Sequence, residues 1–144
     1  MRILGLDLGS RTIGIAMSDT TETMALMKET YRFAEADYDA AFEHVLKYID
    51  KYHVQKVVLG FPKHMNGDIG EKAQLSLDFK AALEAERSVE VILEDERLTT
   101  VSALRELAAL DTKAKKRKAL VDQMAASTIL QTYLDRERKK IHGE

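Results

Sequence analysis

The first 18 residues restrict the fold more than any other stretch. Ile3 to Leu8 is an apolar run too short for a helix, and Gly9-Ser10-Arg11 breaks it as a tight turn would. Thr12 to Ser18 follows as a second run of β-forming residues, so the two read as an antiparallel hairpin. A third strand is expected between Met24 and Phe33. From about Asp37 to Tyr52 the period changes: Tyr38, Ala41, Phe42, Val45 and Ile49 recur at helical spacing.

The alternation then continues. Val54 to Gly60 reads as a buried strand, and the loop Phe61 to Gly70 carries the only proline. A helix from about Gly70 to Glu86 is expected to turn Ala73, Leu77, Ala81 and Leu83 inward, with Val89 to Leu93 as the next strand. Thr99 or Thr100 can cap a helix reaching about Leu110 on Val101, Leu104, Leu107 and Ala108. Val121, Met124, Ala125, Thr128, Ile129 and Tyr133 line a final helix, and Arg136 to Glu144 reads as a frayed polar end. Hairpin-linked strands followed by helix, strand, helix, strand, helix predict an α/β fold: a mixed sheet flanked by helices.

A chain of 144 residues that is 45% hydrophobic suits a single domain, here residues 1–138 with a polar tail at 139–144. The absence of cysteine excludes disulfide scaffolds, thiolate zinc sites and cysteine nucleophiles. No apolar run approaches the roughly 20 residues that span a bilayer, and the start has no secretory pattern, so a cytoplasmic protein without membrane contact is expected. A net charge of −2 excludes only a uniformly basic binder, because it leaves open where the charges sit.

Three acids sit where acids are costly. Asp7 lies inside the first apolar strand, on the opposite face from Leu6 and Leu8. It must be paired, metal-bound or at the mouth of the sheet, although bonds from the Gly9-Ser10 turn would also satisfy it. Glu96 stands beyond the next strand in Glu94-Asp95-Glu96-Arg97, where consecutive acids repel unless Arg97 or another cation relieves them. The plain alternative is a solvated acidic loop. Asp122 shares a helix face with Ala125, Ala126 and Ile129, yet an acid early in a helix also suits the macrodipole.

Together the three could converge at one end of the sheet. Carboxylates are hard ligands for Mg²⁺ or Mn²⁺, and two such ions about 3.5–4 Å apart can drive phosphodiester hydrolysis. Three carboxylates and one phosphodiester would balance two divalent cations.

Four motifs resemble one family. Gly5-Leu6-Asp7-Leu8-Gly9-Ser10 comes first, then Val58-Leu59-Gly60-Phe61-Pro62 with Met65-Asn66-Gly67. Asp95-Glu96-Arg97-Leu98-Thr99-Thr100 follows, and then Lys116-Arg117-Lys118 with Asp122 and Ala125-Ala126 through Ile129-Leu130-Gln131. In this order, over essentially the whole chain, they resemble the YqgF/RuvX family, small RNase H-like proteins related to the RuvC resolvases. The resemblance implies an RNase H-like fold with a five-stranded sheet and an acidic site at Asp7, Glu96 and Asp122. It thereby selects Glu96 from its acidic neighbours. Lys63-His64 departs from the Leu-Asn or Lys-Asn of many members.

Phosphate recognition is expected of Gly9, Ser10 and Arg11 beside Asp7, and of Arg97 beside Glu96. The basic run Lys113, Lys115, Lys116, Arg117 and Lys118 could hold a nucleic-acid backbone, its alternative being a solvated loop. Tyr38, Phe42, Tyr48 and Tyr133 are read as packing residues rather than base platforms, and His64 as an exposed loop residue.

The resemblance therefore points to a metal-dependent nuclease of structured RNA, in 5′-end processing of pre-16S rRNA, acting as a monomer or weak dimer. A Holliday junction resolvase on branched DNA is the alternative, and two symmetric cuts would favour a dimer. A sugar-kinase or actin-like ATPase would need a second domain, and a non-catalytic RNA-binding assembly factor would need only the basic run.

Overall fold

The computed structural model describes residues 1–63, 69–101 and 115–141, except for the side chains of 115–123. The hairpin is β1 (Ile3–Leu8) and β2 (Thr12–Ser18), followed by β3 (Ala25–Arg32) and α1 (Tyr38–Tyr52). Then come β4 (Lys56–Phe61), α2 (Glu71–Glu86), β5 (Glu90–Asp95), a short 3₁₀ turn (Glu96–Leu98) and a long helix, α3 (Lys115–Ile141). Among the described residues five strands form one sheet in the order β3-β2-β1-β4-β5. The pairings of β1 with β2 and β2 with β3 are antiparallel, while β1 with β4 and β4 with β5 are parallel.

Strand alternation divides the core in two. Leu4 and Leu6 of β1, Ile13, Ile15 and Met17 of β2 and Val57 and Leu59 of β4 pack under α1 and α2. Ile3, Ala16 and Val58 point the other way, under Ala126, Ile129, Leu130 and Tyr133 of α3. In β3 a register shift opposite Ile15 and Ala16 leaves Lys28 as an extra residue between Met27 and Glu29. It switches the strand's faces, so Ala25 and Met27 pack beneath α3 whereas Tyr31 and Phe33 join the α1 side.

The helix ends follow from local chemistry. Asp37 caps α1 by accepting a hydrogen bond from the Ala40 N–H at 3.3 Å. At the other end His53 takes a left-handed conformation, φ 53°, and its N–H bonds to the Ile49 carbonyl. The inward face of α2 departs from the expected set: Ala73, Ser76, Phe79 and Leu83 are buried, while Ala81 is exposed. The helix turns because the Ser76 hydroxyl donates to the Gly60 carbonyl at 3.1 Å and Phe79 meets Phe42 edge-on.

β5 runs two residues beyond its expected end, since its parallel pairing with β4 carries Glu94 opposite Gly60 and Asp95 opposite Phe61. Thr99 accepts a hydrogen bond from the Val101 N–H at 3.3 Å, as a cap would, and Val101 is buried. Leu104, Leu107 and Ala108 of the expected helix lie outside the described residues. Two expectations about α3 are corrected. Lys115 to Lys118 belong to its first turn rather than to a loop, because nothing from Lys115 onward breaks a helix. Nor does the chain fray at Arg136: the helix continues to Ile141, and Arg136 is tied to Glu94 by an ion pair.

Candidate active site

The face under α3 is built from small residues, and these decide where the acids go. A Cβ on Gly5 would lie 2.7 Å from the Leu130 Cβ and 3.1 Å from the Ala126 carbonyl oxygen. Only glycine permits that approach of helix to strand. Ile3 packs with Tyr133 and Leu134, and Gly5 meets Ala126 and Leu130, so α3 runs antiparallel to β1. Two strand residues cover about 6.6 Å and four helical residues about 6 Å. Asp7, two residues after Gly5, therefore stands level with helical position 122, one turn before Ala126. The side chain of Asp122 lies outside the described residues.

The three consecutive acids of β5 and its turn meet three different fates. Glu94 is 1% exposed and is held by a two-pronged ion pair with Arg136, at 2.7 and 2.9 Å. That pairing explains why α3 stays ordered at Arg136, and it raises the Arg136 pKa above its usual range. Asp95 is gripped by Arg97 at 2.7–3.1 Å, and the guanidinium holds its carboxyl below the ordinary carboxylate range. Glu96 is 5% exposed, yet its carboxylate borders an open cleft. A Cβ on Gly60 would lie 2.8 Å from the Ile129 Cδ1, so the bare backbone of Gly60 admits α3, and the Glu96 carboxylate packs beside it at ordinary contact distance.

Asp7 and Glu96 line this same cleft, about 490 Å³, at the C-terminal ends of the central strands. Ligands of open α/β sheets bind at such strand ends. Cationic and polar groups share the walls: Ser10 and Arg11 from the hairpin turn, and Lys72 from the first turn of α2. Arg11 pairs with Glu35 at 3.1 Å, but both side chains are about two-thirds exposed. Such a surface pair is weak and can exchange for a phosphate.

Not every expected phosphate donor is available. The Gly9 N–H is already bonded to the Thr12 carbonyl at 2.8 Å, closing the turn. Arg97 is committed to Asp95 and does not serve Glu96 alone. His64, Met65, Asn66, Gly67 and Lys113 lie outside the described residues, as do the side chains of Lys115, Lys116, Arg117 and Lys118. Lys72 and Tyr38 both line the cleft, and neither was expected there. Their signal was position: each begins a helix that follows a strand end.

Several known proteins are similar to this chain. The profile of the family described as "RuvX: Holliday junction resolvase" matches residues 1–136. The "Putative pre-16S rRNA nuclease" of Halalkalibacterium halodurans is 45% identical over 97% of this chain and 100% of its own length. The protein of the same name from Bacillus subtilis is 47% identical over 94% of this chain and 98% of its own. Among solved structures, Thermus thermophilus RuvC superimposes with TM-score 0.63 at 14% identity, covering 97% of each chain. The same protein in complex with a Holliday junction substrate gives 0.61 at 16% identity, over 95% of this chain and 96% of that one. The fold is thus the RNase H-like fold of the RuvC resolvases. With the family profile spanning nearly its whole length, and curated relatives almost half identical to it, the chain belongs to the RuvX (YqgF) family.

Proposed function

We propose that this protein is a metal-dependent nuclease of structured RNA that trims the 5′ end of pre-16S rRNA in the cytoplasm, acting as a monomer or weak dimer. Nuclease, a hydrolase of ester bonds, is the class that the family and its curated relatives carry. One observation supports the proposal above the rest: Asp7 of β1 and Glu96 of the turn after β5 border a single cleft that also holds Arg11 and Lys72.

The donor set suits a hard divalent cation, since both acids offer carboxylate oxygens and, among the described residues, neither histidine nor cysteine lines the cleft. Asp7, Glu96 and Asp122 would hold Mg²⁺ or Mn²⁺, two ions if all three acids participate. Bound ions would supply activation of water and stabilisation of the leaving oxygen. The chain's own groups do the rest. Arg11, Lys72 and Ser10 would orient the phosphodiester and offset its charge. Asp95 keeps Arg97 fixed beside Glu96, which limits the motion of the short turn that carries Glu96.

The basic run contributes affinity in this reading. Lys115, Lys116, Arg117 and Lys118 fill the first described turn of α3, where the helix macrodipole is already positive and the turn itself holds no acid. Like charges there cost helix stability, and a bound phosphate backbone would offset that cost. The alternative substrate, a four-way DNA junction, is favoured by the description of the family itself.

The test is a cleavage panel of pre-16S 5′ fragments, single strands and four-way DNA junctions, with Mg²⁺ or Mn²⁺. The expected result is cleavage of the rRNA precursor that Asp7→Asn reduces at least about a hundredfold, with an unchanged unfolding temperature. Equal cleavage by Asp7→Asn would remove the site assignment. Faster cutting of the junction than of the RNA would replace the substrate.

A further inference from the structure

We infer that the apolar half of the cleft, formed by Leu8, Tyr38, Pro62 and Leu75, is a subsite for an unpaired nucleobase beside the scissile phosphate. The inference rests on the nuclease reading above and names the substrate feature it selects.

The cleft changes character across a single residue. Asp7 and Leu8 are neighbours on β1 and point to opposite faces of the sheet, yet both border the same cavity. The cavity therefore wraps over the end of β1, from the acids on the α3 side to an apolar wall on the α1 and α2 side. Leu8, Tyr38, Pro62 and Leu75 are only half-buried there, although each offers a hydrocarbon or ring surface. Tyr38 opens α1, and its ring meets Phe33 edge-on at 6.1 Å, so it is braced from one side.

Such a wall is a poor place for phosphate, whose charge it would strip of water. The flat, neutral part of a nucleotide is its base, and aromatic rings bind bases by stacking without regard to sequence. A base inside a duplex cannot reach a lateral pocket unless it leaves the stack. At about 490 Å³ the cleft falls within the range of nucleotide-sized ligand sites. Arg11 and Lys72 border the same cavity, where they can hold the backbone on either side of the inserted base. Cleavage is accordingly directed to phosphates next to an unpaired residue, at a helix end, bulge or overhang.

The absence of tryptophan makes the test direct, because Tyr38→Trp creates a single fluorophore at the wall. Titrations are run in EDTA, so that only binding is read. A single-stranded oligoribonucleotide is expected to quench that tryptophan, while a blunt duplex of the same sequence and an abasic oligomer of the same length quench it far less. Tyr38→Ala is expected to weaken single-strand binding roughly tenfold and duplex binding little, with Tyr38→Phe restoring it. If Tyr38→Ala fails to fold, Tyr38→Leu takes its place, keeping apolar volume without a ring face. Equal quenching by the abasic oligomer, or wild-type discrimination by the Ala or Leu variant, overturns the subsite. The cleavage panel separates the two ideas: absence of any cleavage by the wild type removes the nuclease reading and retained cleavage by Asp7→Asn removes the acidic site, whereas base-dependent quenching in EDTA stands or falls on its own.

Discussion

The two faces of the sheet are packed on different principles. Beneath α1 and α2 lie large side chains, Leu4, Leu6, Ile15, Met17 and Leu59, all fully buried. Beneath α3 the strands offer Gly5, Ala16, Val58 and Gly60, which meet Ala126, Ile129 and Leu130. The first face supplies burial, and therefore stability. The second gives up apolar volume for closeness, and closeness brings helical position 122 level with Asp7. A face that holds charged groups in register needs short, rigid contacts more than it needs bulk.

That contrast can be broken from either side. Leu6→Ala should destabilise the protein by about 3–4 kcal/mol, since its site is fully enclosed and cannot collapse. Urea unfolding measures this, and cleavage per folded molecule should be unchanged. Gly5→Ala should cost less, about 2 kcal/mol, by forcing a methyl group against the Leu130 Cβ and the Ala126 carbonyl. Cleavage well below the unfolding temperature should nevertheless fall tenfold or more, by order of magnitude, because α3 is pushed off β1. If Leu6→Ala damaged activity more than Gly5→Ala did, the division of labour between the faces would be wrong.

Arg136→Ala probes the rim of the α3 face. Glu94 would be left buried with its charge unpaired, at a cost of about 2 kcal/mol, reduced from the fully buried case because Arg136 is 39% exposed. Adding Glu94→Leu should recover most of the loss, since the isolated charge is the main penalty. A double variant no better than Arg136→Ala would point to the lost bond instead.

The smallest effect is on pH dependence. Arg97 holds Asp95 below its ordinary value of 3.8. Burial raises Glu29, but bonds from His44 and Tyr48 outweigh it and hold that carboxyl below 4.5. Both folded-state values are depressed, so both groups contribute stability above those ordinary values and lose it as the pH falls further. Unfolding temperature should therefore drop below about pH 4.5, less steeply in Asp95→Asn than in the wild type. Equal slopes would mean that the Asp95–Arg97 pair carries no net stability.

Much of this could be read along the chain. The hairpin, the helical period of α1 and the order of the elements are local patterns, so strand count and class followed from them. The acid in β1 could be placed on a face because alternation is strict. Boundaries were less legible: β5 gained two residues from pairing with β4, and α2 turned its face to satisfy Ser76 and Phe79, both long-range effects. The positions of Tyr38 and Lys72 were equally hidden, since a helix's first turn reveals its wall only once strands bring it to a cavity. Tyr38 has the spacing of a core residue and the location of a lining one.

The sequence by itself determined that one acid would interrupt a strand, that others would follow a strand end and start a helix, that a small Ala125-Ala126 pair would suit close packing, and that basic residues would be concentrated in one run. These are properties of composition and period, written residue by residue. Only the tertiary structure decided which of Glu94, Asp95 and Glu96 would face the cleft. Three adjacent carboxylates are equivalent until specific cations are brought near them. Arg136, 42 residues away, takes Glu94, and Arg97 takes Asp95. Glu96, just past the end of β5, borders the cleft together with Asp7.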